Sequence, residues 1–224
     1  MVRRQRKRRR LGSSENGCTR LRATRKNHVW SYDFLIDQTE DGRQLKLLPV
    51  VDEFTRETHA IVVERSITSE DVIDLLAYLF SVHGEPEFIR SDNGPEFIAH
   101  AVKGWLASSG VRTLYIEPGS PWQNAYSESF NSRFRDELLD RETFTSLTEA
   151  QVLVERYRVE HNHVRPHSSL GYRTPAQFAA EQRLGLSTLA SAPDGAPANV
   201  ASAPGGAPAF DYSPEEGNII PTLS

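Results

Sequence analysis

The chain has 224 residues and a hydrophobic fraction of 38%, enough for one sizeable core with extensions. Its formal charge of −4 hides a polarised arrangement: residues 1–27 carry 11 Lys/Arg against one acid, residues 28–185 carry 15 against 25, and residues 186–224 carry four acids and no Lys or Arg. Cys18 is the single cysteine, which excludes an intrachain disulfide framework and a cysteine-based zinc centre and fits a reducing cytoplasm; no 18-residue apolar run exists to span a membrane, and no apolar stretch follows the basic N-terminus as a secretory signal would require.

Residues 1–27 read as a flexible basic arm suited to phosphate backbones, with Arg6, Lys7 and Arg8 at its densest point. Residues 28–37 read as a buried strand, through Val29, Trp30, Tyr32, Phe34, Leu35 and Ile36. Asp41-Gly42 marks a turn, and residues 45–54 and 57–64 read as two strands joined by a link short enough for an antiparallel hairpin. Residues 69–83 follow as a helix, because Val72, Leu75, Leu76, Leu79 and Phe80 recur at helical spacing. Thr68 with Asp71 resembles a capping arrangement at its start, and Gly84 and Pro86 end it. A short strand over 88–91 delivers Asp92 to its C-terminal end. Pro95 opens a helix through 108, and residues 111–116 form a fifth strand. Residues 118–124 form a loop leading into a helix over 124–140, followed by a helix over 147–161. The tail from 187, rich in Ala, Pro, Ser and Gly, reads as disordered. The order gives a mixed α/β sheet over residues 28–185, between the arm and the tail over 186–224.

Three carboxylates stand out. Asp33 sits in an otherwise apolar strand-like run, where a carboxylate without a partner is costly and a metal ion would offset the cost. Asp92 heads Asp-Asn-Gly-Pro, a turn signal in its own right, but it follows a strand in an α/β pattern, where ligand sites gather. Glu128 lies 36 positions after Asp92, with 35 residues between them. On a helical wheel it stands about 160° from the centre of the apolar face made by Tyr126, Phe130, Phe134 and Leu138. Each has a bland reading, Asp33 as an edge-strand residue facing water, Asp92 as a turn residue and Glu128 as a solvated helix residue, and that reading is weakest for Asp33 and strongest for Glu128. Together they can converge into an all-oxygen cage for Mg²⁺ or Mn²⁺, and two such ions can drive in-line attack on a phosphodiester.

His161, Asn162, His163 and His167 invite a metal reading, but the segment follows a helix and runs into Arg165-Pro166, so a structural role or contact with the DNA backbone fits it better than zinc. No base-orienter arrangement surrounds a serine or tyrosine nucleophile.

The motifs Trp30-x-x-Asp33, Val51 to Arg56, Arg90 to Phe97, Ser120 to Asn131 and Arg165 to Pro175 resemble, in order and over about residues 28–180, the integrase core of IS-three-family insertion-sequence transposases, the second-reading-frame product. The resemblance implies a ribonuclease-H-like fold with a mixed five-stranded sheet flanked by helices. It carries a DDE catalytic and metal-binding role onto Asp33, Asp92 and Glu128, with two divalent ions shared among them. It implies 3′-end cleavage at inverted repeats and strand transfer without a covalent protein–DNA intermediate. By analogy Gln123, Asn124 and Asn131 flank the site, with Arg133, Arg135 and Arg165 near DNA. The expected partners are element ends and target DNA, further copies of the chain assembled on DNA, and a first-reading-frame helix-turn-helix protein. The expected location is the bacterial cytoplasm, on the nucleoid when DNA-bound.

Two rivals stand beside this reading. One is a ribonuclease or nuclease on the same fold, which the 35-residue spacing and the Arg165–Pro175 block argue against. The other is a truncated, non-catalytic DNA-binding remnant that modulates a full-length transposase. Only a basic run precedes the core where the family carries helix-turn-helix segments, which favours the remnant; the complete acidic triad argues against it.

Overall fold

The computed structural model describes residues 21–91, 96–115 and 125–183. The expectations for arm residues 1–20, for Asp92, Gln123 and Asn124, and for the tail from 187 lie outside the described residues. Residues 21–27, read as the end of the flexible arm, are held against the core, where Ala23 is buried and Asn27 N–H donates to Asp52 Oδ2 at 2.8 Å. The elements are β1 (Val29–Tyr32), β2 (Leu35–Gln38), β3 (Gln44–Asp52), β4 (Thr58–Glu64), α1 (Ser69–His83), β5 (Phe88–Ser91), α2 (Glu96–Ser108), β6 (Arg112–Tyr115), α3 (Ala125–Phe134), α4 (Leu147–His163) and α5 (Pro175–Arg183). A π-helical turn over Arg135–Leu139 continues α3.

The strand read as continuous over 28–37 is two strands, β1 and β2. Both lie along the same edge of β3, since β4 occupies the opposite edge over residues that overlap both. Six strands therefore occupy five positions, β4, β3, β1 with β2, β5 and β6, with β3 antiparallel to its neighbours and β1, β5 and β6 mutually parallel. The pairing register runs straight through the break: Tyr32 faces Val50 and Leu35 faces Leu47, which sets Asp33 opposite Pro49. Glu53 N–H donates to the Val29 carbonyl at 2.9 Å. Antiparallel pairs of that kind recur every second residue, so Asp33 and Pro49 form one of them. Proline has no N–H. The ladder thus loses the bond that would end on the Asp33 carbonyl, and regular strand stops at the residue singled out for chemistry.

Alternation sorts the sheet into two faces. Trp30, Tyr32, Leu48, Val50, Ala60 and Ile89 pack against Leu75, Leu76, Leu79, Val102 and Leu106 of α1 and α2. Leu35, Leu45, Leu47, Val51, Ile61 and Val63 pack against Phe130, Phe134, Leu138, Leu139, Val154 and Tyr157 of α3, its π turn and α4. Asp33 shares the parity of Ser31 and Leu35, so its side chain belongs to the α3 face.

Helix α1 keeps its expected bounds because every signal for it is local. Thr68 Oγ1 accepts from Asp71 N–H, Asp71 Oδ2 accepts from Thr68 N–H at 2.7 Å, and Gly84 closes the helix at φ 84°. Helix α5 has no counterpart among the sequence expectations. Its start carries a capping box that the letters Thr-Pro-Ala-Gln announce: Gln177 N–H donates to Thr174 Oγ1 at 3.2 Å and Thr174 N–H to Gln177 Oε1 at 3.0 Å, with Pro175 at the first helical position.

Helix α4 lies along β4, an outer strand of the sheet. Asn162 accepts from Thr58 N–H and donates to Thr58 C=O, both at 2.9 Å. Gln151 Nε2 donates to the Val63 carbonyl at 3.0 Å. The His-Asn-His letters therefore include a backbone-docking asparagine.

Candidate active site

Helix α3 is fixed over the strand break by one hydrogen bond. Asn131 Nδ2 donates to Asp33 Oδ2 at 2.8 Å, from a helical position that is itself buried. The buried face of α3 explains why. Ser127, Phe130, Asn131, Phe134 and Leu138 are all buried, a spacing of three and four residues that includes two polar side chains. The apolar residues alone gave a face centred away from Glu128. With Ser127 and Asn131 counted, Glu128 stands about 60° from Asn131 around the helix, on the shoulder of the buried face rather than opposite it. Its side chain is exposed. Asp33 is half-buried in the gap between β1 and β2. One turn further along α3, Arg135 Nη2 donates to the Ile36 carbonyl at 3.2 Å, so the helix runs along the β1–β2 line in the same direction. The structure thus brings Asp33, Asn131 and the Glu128 turn together.

Strand β5 ends at Ser91, one residue before Asp92, and runs parallel to β1 with Ser91 beside Tyr32. The C-terminal ends of β1 and β5 are therefore level with each other. Arg90 is buried in this strand against the fully buried Glu53, Nε to Oε1 at 2.7 Å, while its Nη2 donates to the Leu21 carbonyl at 2.8 Å. Asp52, in the same motif, accepts from Asn27, Phe54 and Thr55 N–H groups at 2.8 to 2.9 Å. Burial pushes its carboxyl up despite those bonds. Asp52 and Glu53 are framework carboxylates: they knit the hairpin turn and hold the strand that leads to Asp92.

Of the expected basic contacts, Arg133 is exposed, with Nη1 3.4 Å from His167 Nδ1. Arg165 pairs with Glu137 and sits 5.7 Å from the Tyr157 ring. His161 and His167 meet edge to face at 4.7 Å. Burial, then His167, lowers the His161 pKa to about 4; burial, then Arg133 and Arg165, lowers that of His167 to about 4. Both imidazoles are neutral at physiological pH. Among the described residues no group of three or more His, Cys, Asp or Glu side chains comes together to hold a metal.

Two further residues join the site region without any local signal in the sequence. Arg56, at the β3–β4 turn, lies 3.6 Å over the ring of Tyr126 in the first turn of α3. Seventy positions separate them in the chain, so only the folded structure reveals the pair.

A five-position sheet in this order with helices on both faces defines a ribonuclease-H-like fold. Solved structures agree on the fold. The simian T-cell lymphotropic virus intasome in complex with PP2A regulatory subunit B56 gamma aligns at TM-score 0.60 and 18% identity, over 81% of this chain and 63% of that one. The HTLV-2 integrase catalytic core domain in complex with magnesium aligns at TM-score 0.55 and 20% identity, over 70% of this chain and 99% of that one. Two family profiles, both described as Integrase core domain, match residues 23–121 and 109–175. Among curated proteins, the 39.2 kDa protein of insertion element IS476 from Xanthomonas euvesicatoria is 45% identical over 163 residues, covering 73% of this chain and 47% of the relative. The 31.7 kDa protein of insertion element IS407 from Burkholderia multivorans is 43% identical over 157 residues, covering 70% of this chain and 57% of the relative. The chain belongs to the integrase-core family of insertion-sequence transposases. It spans about half the length of these curated relatives.

Proposed function

We propose that this chain carries out divalent-metal-dependent cleavage at DNA 3′ ends and transfer of those ends to target DNA, with Asp33, Asp92 and Glu128 as the acidic triad. The observation that carries the reading is the Asn131–Asp33 hydrogen bond, which sets the Glu128 turn over the break in the β1–β2 line. The donor set fits the ions expected. Asp33 and Glu128 offer only hard oxygen ligands, one half-buried and one exposed, and the site keeps an open side as a catalytic rather than structural centre requires. Asp33, Asp92 and Glu128 would hold Mg²⁺ or Mn²⁺, two ions in all. Bound there, the ions supply Lewis-acid stabilisation of charge on the phosphate and a more acidic attacking water or 3′-hydroxyl.

The chain's own residues supply position. Asn131 occupies Oδ2 of Asp33 with a donor and so orients that carboxylate. The buried Glu53–Arg90 pair holds β5, and with it the approach to Asp92. Arg133, Arg135 and Arg165, with Gln123, Asn124 and the arm residues Arg6, Lys7 and Arg8, are the proposed backbone contacts. Arg165 makes its contact from a position braced by Glu137. Element ends, target DNA, further copies of the chain on DNA and a first-reading-frame partner complete the proposed assembly.

The test is a Mg²⁺- or Mn²⁺-dependent strand-transfer assay with a pre-cut oligonucleotide end of the parent element, wild type beside Asp92→Asn. Joined product from the wild type alone supports the triad. DNA binding with no product from either protein points instead to the non-catalytic remnant.

A further inference from the structure

We infer that Arg56 and Tyr126 form a clamp that positions Glu128, an inference that rests on the catalytic reading of Glu128 above. Arg56 has φ 66°, a left-handed conformation that glycine adopts freely and an arginine adopts only when its surroundings hold it there. The surroundings do so at four points. Its N–H donates to the Asp52 carbonyl at 2.9 Å. Its carbonyl faces Nε2 of His161, at 3.2 Å, from the last turns of α4. Its Nη1 donates to the Glu53 carbonyl. Its guanidinium carbon then lies over the Tyr126 ring, 3.6 Å from the centroid. A glycine would make this turn without strain but would take the guanidinium off the Tyr126 ring, so the side chain is what the strained position displays.

The target of the display is one turn of one helix. The first turn of a helix has N–H groups without intrahelical partners and opens most readily. In α3 that turn holds Tyr126, and Glu128 follows two residues later. Asn131, about 7.5 Å further along the axis, is the next anchor, through Asp33. Glu128 therefore sits on the exposed side of a stretch of helix whose buried side carries Ser127 and Phe130 and whose ends are tied to the β3–β4 turn and to the β1–β2 break. Removing the first tie leaves Asn131 in place and frees the carboxylate beside it.

The experiment measures Mn²⁺ binding directly, by loss of the free-ion electron paramagnetic resonance signal, and the Mn²⁺ dependence of strand transfer. Wild type is compared with Tyr126→Leu, Tyr126→Phe, Arg56→Gly and Glu128→Gln, with thermal midpoints and DNA Kd recorded for each. Tyr126→Leu and Arg56→Gly are expected to weaken Mn²⁺ binding and to raise the Mn²⁺ needed for half-maximal transfer by on the order of tenfold, the scale of a lost supporting contact around a metal ligand. Their DNA affinity should not change. Tyr126→Phe keeps the ring face and should behave as wild type. Arg56→Gly relieves the strained backbone, so a loss of Mn²⁺ affinity in a fully folded Arg56→Gly protein cannot be put down to unfolding. Wild-type Mn²⁺ dependence in both Tyr126→Leu and Arg56→Gly, or an equal loss in Tyr126→Phe, overturns the clamp. If Glu128→Gln also binds Mn²⁺ and transfers strands normally, the catalytic reading of Glu128 fails and the clamp with it; if Glu128→Gln alone is defective, only the clamp fails.

Discussion

Asn131 orients Asp33 through a single amide hydrogen, so leucine at 131 keeps the volume and removes the donor. Transfer activity should fall 10- to 100-fold, the usual range for supporting residues around a metal site, while the DNA Kd holds. Gel-based strand transfer beside a binding titration checks this. Asn162 does framework work of the same kind on the opposite side of α4. Asn162→Ala removes the side-chain acceptor of Thr58 N–H and one of two side-chain donors to Thr58 C=O, the other being Arg158 Nη1 at 3.3 Å, which costs about 1–3 kcal/mol. A urea midpoint shifted by less than the equivalent of 0.5 kcal/mol, at the low end for a net hydrogen bond, would count against the docking role. At this scale the sequence was legible where residue type carries the signal. Asp33 could be chosen because a carboxylate in an apolar strand-like run is unusual, whereas Glu128 alone reads as a solvated helix residue and could be chosen only for its place in the set of three. Asn131 could be named only by analogy, since nothing in its neighbours says which carboxylate it meets.

Elements whose cause is local were readable, and elements whose cause is distant were not. Helix α1 has its apolar period and both caps within seventeen residues, and its bounds were recovered residue for residue. The split between β1 and β2 depends on Pro49 in another strand, so no pattern within 28–37 could announce it. Helix α3 runs on into a π turn over Arg135–Leu139, with Leu138 and Leu139 both seated in the core, and no local letter pattern announces that change of spacing. Two predictions belong to elements. Pro49→Ala restores a donor opposite Asp33, and its new amide should be slow to exchange with deuterium; rapid exchange there would refute the pairing derived above. Glu53→Ala strands Arg90 in the interior at a cost of about 3–5 kcal/mol, readable as a fall in thermal midpoint.

The molecule as a whole should be acid-sensitive. The folded-state pKa values of His161 and His167, about 4 each, lie below the ordinary 6.5, so the unfolded chain binds protons first as pH falls. Their contribution is full above pH 6.5 and is lost as pH falls toward 4. Asp52, pushed up by burial, acts in the opposite sense, adding stability as it takes up its proton. Chemical denaturation of wild type and His161→Phe at pH 5 and pH 7.5 separates the two: the variant should show the flatter pH dependence. If the slopes coincide, the buried imidazole is not the source. The charge pattern in the sequence, basic at one end and acidic through the core, gave no hint of this, because it counts charges and the two imidazoles matter by being uncharged.

Helix α4 reaches the outer strand β4 with side chains, at Thr58 through Asn162 and at Val63 through Gln151. A bare outer strand is a template on which another chain can add a strand of its own. Here that template is already read, at both ends, by the molecule's own asparagine and glutamine. Copies of this chain cannot join by extending the sheet across β4 without first lifting α4, so that edge is closed to sheet growth whatever the local concentration along the DNA.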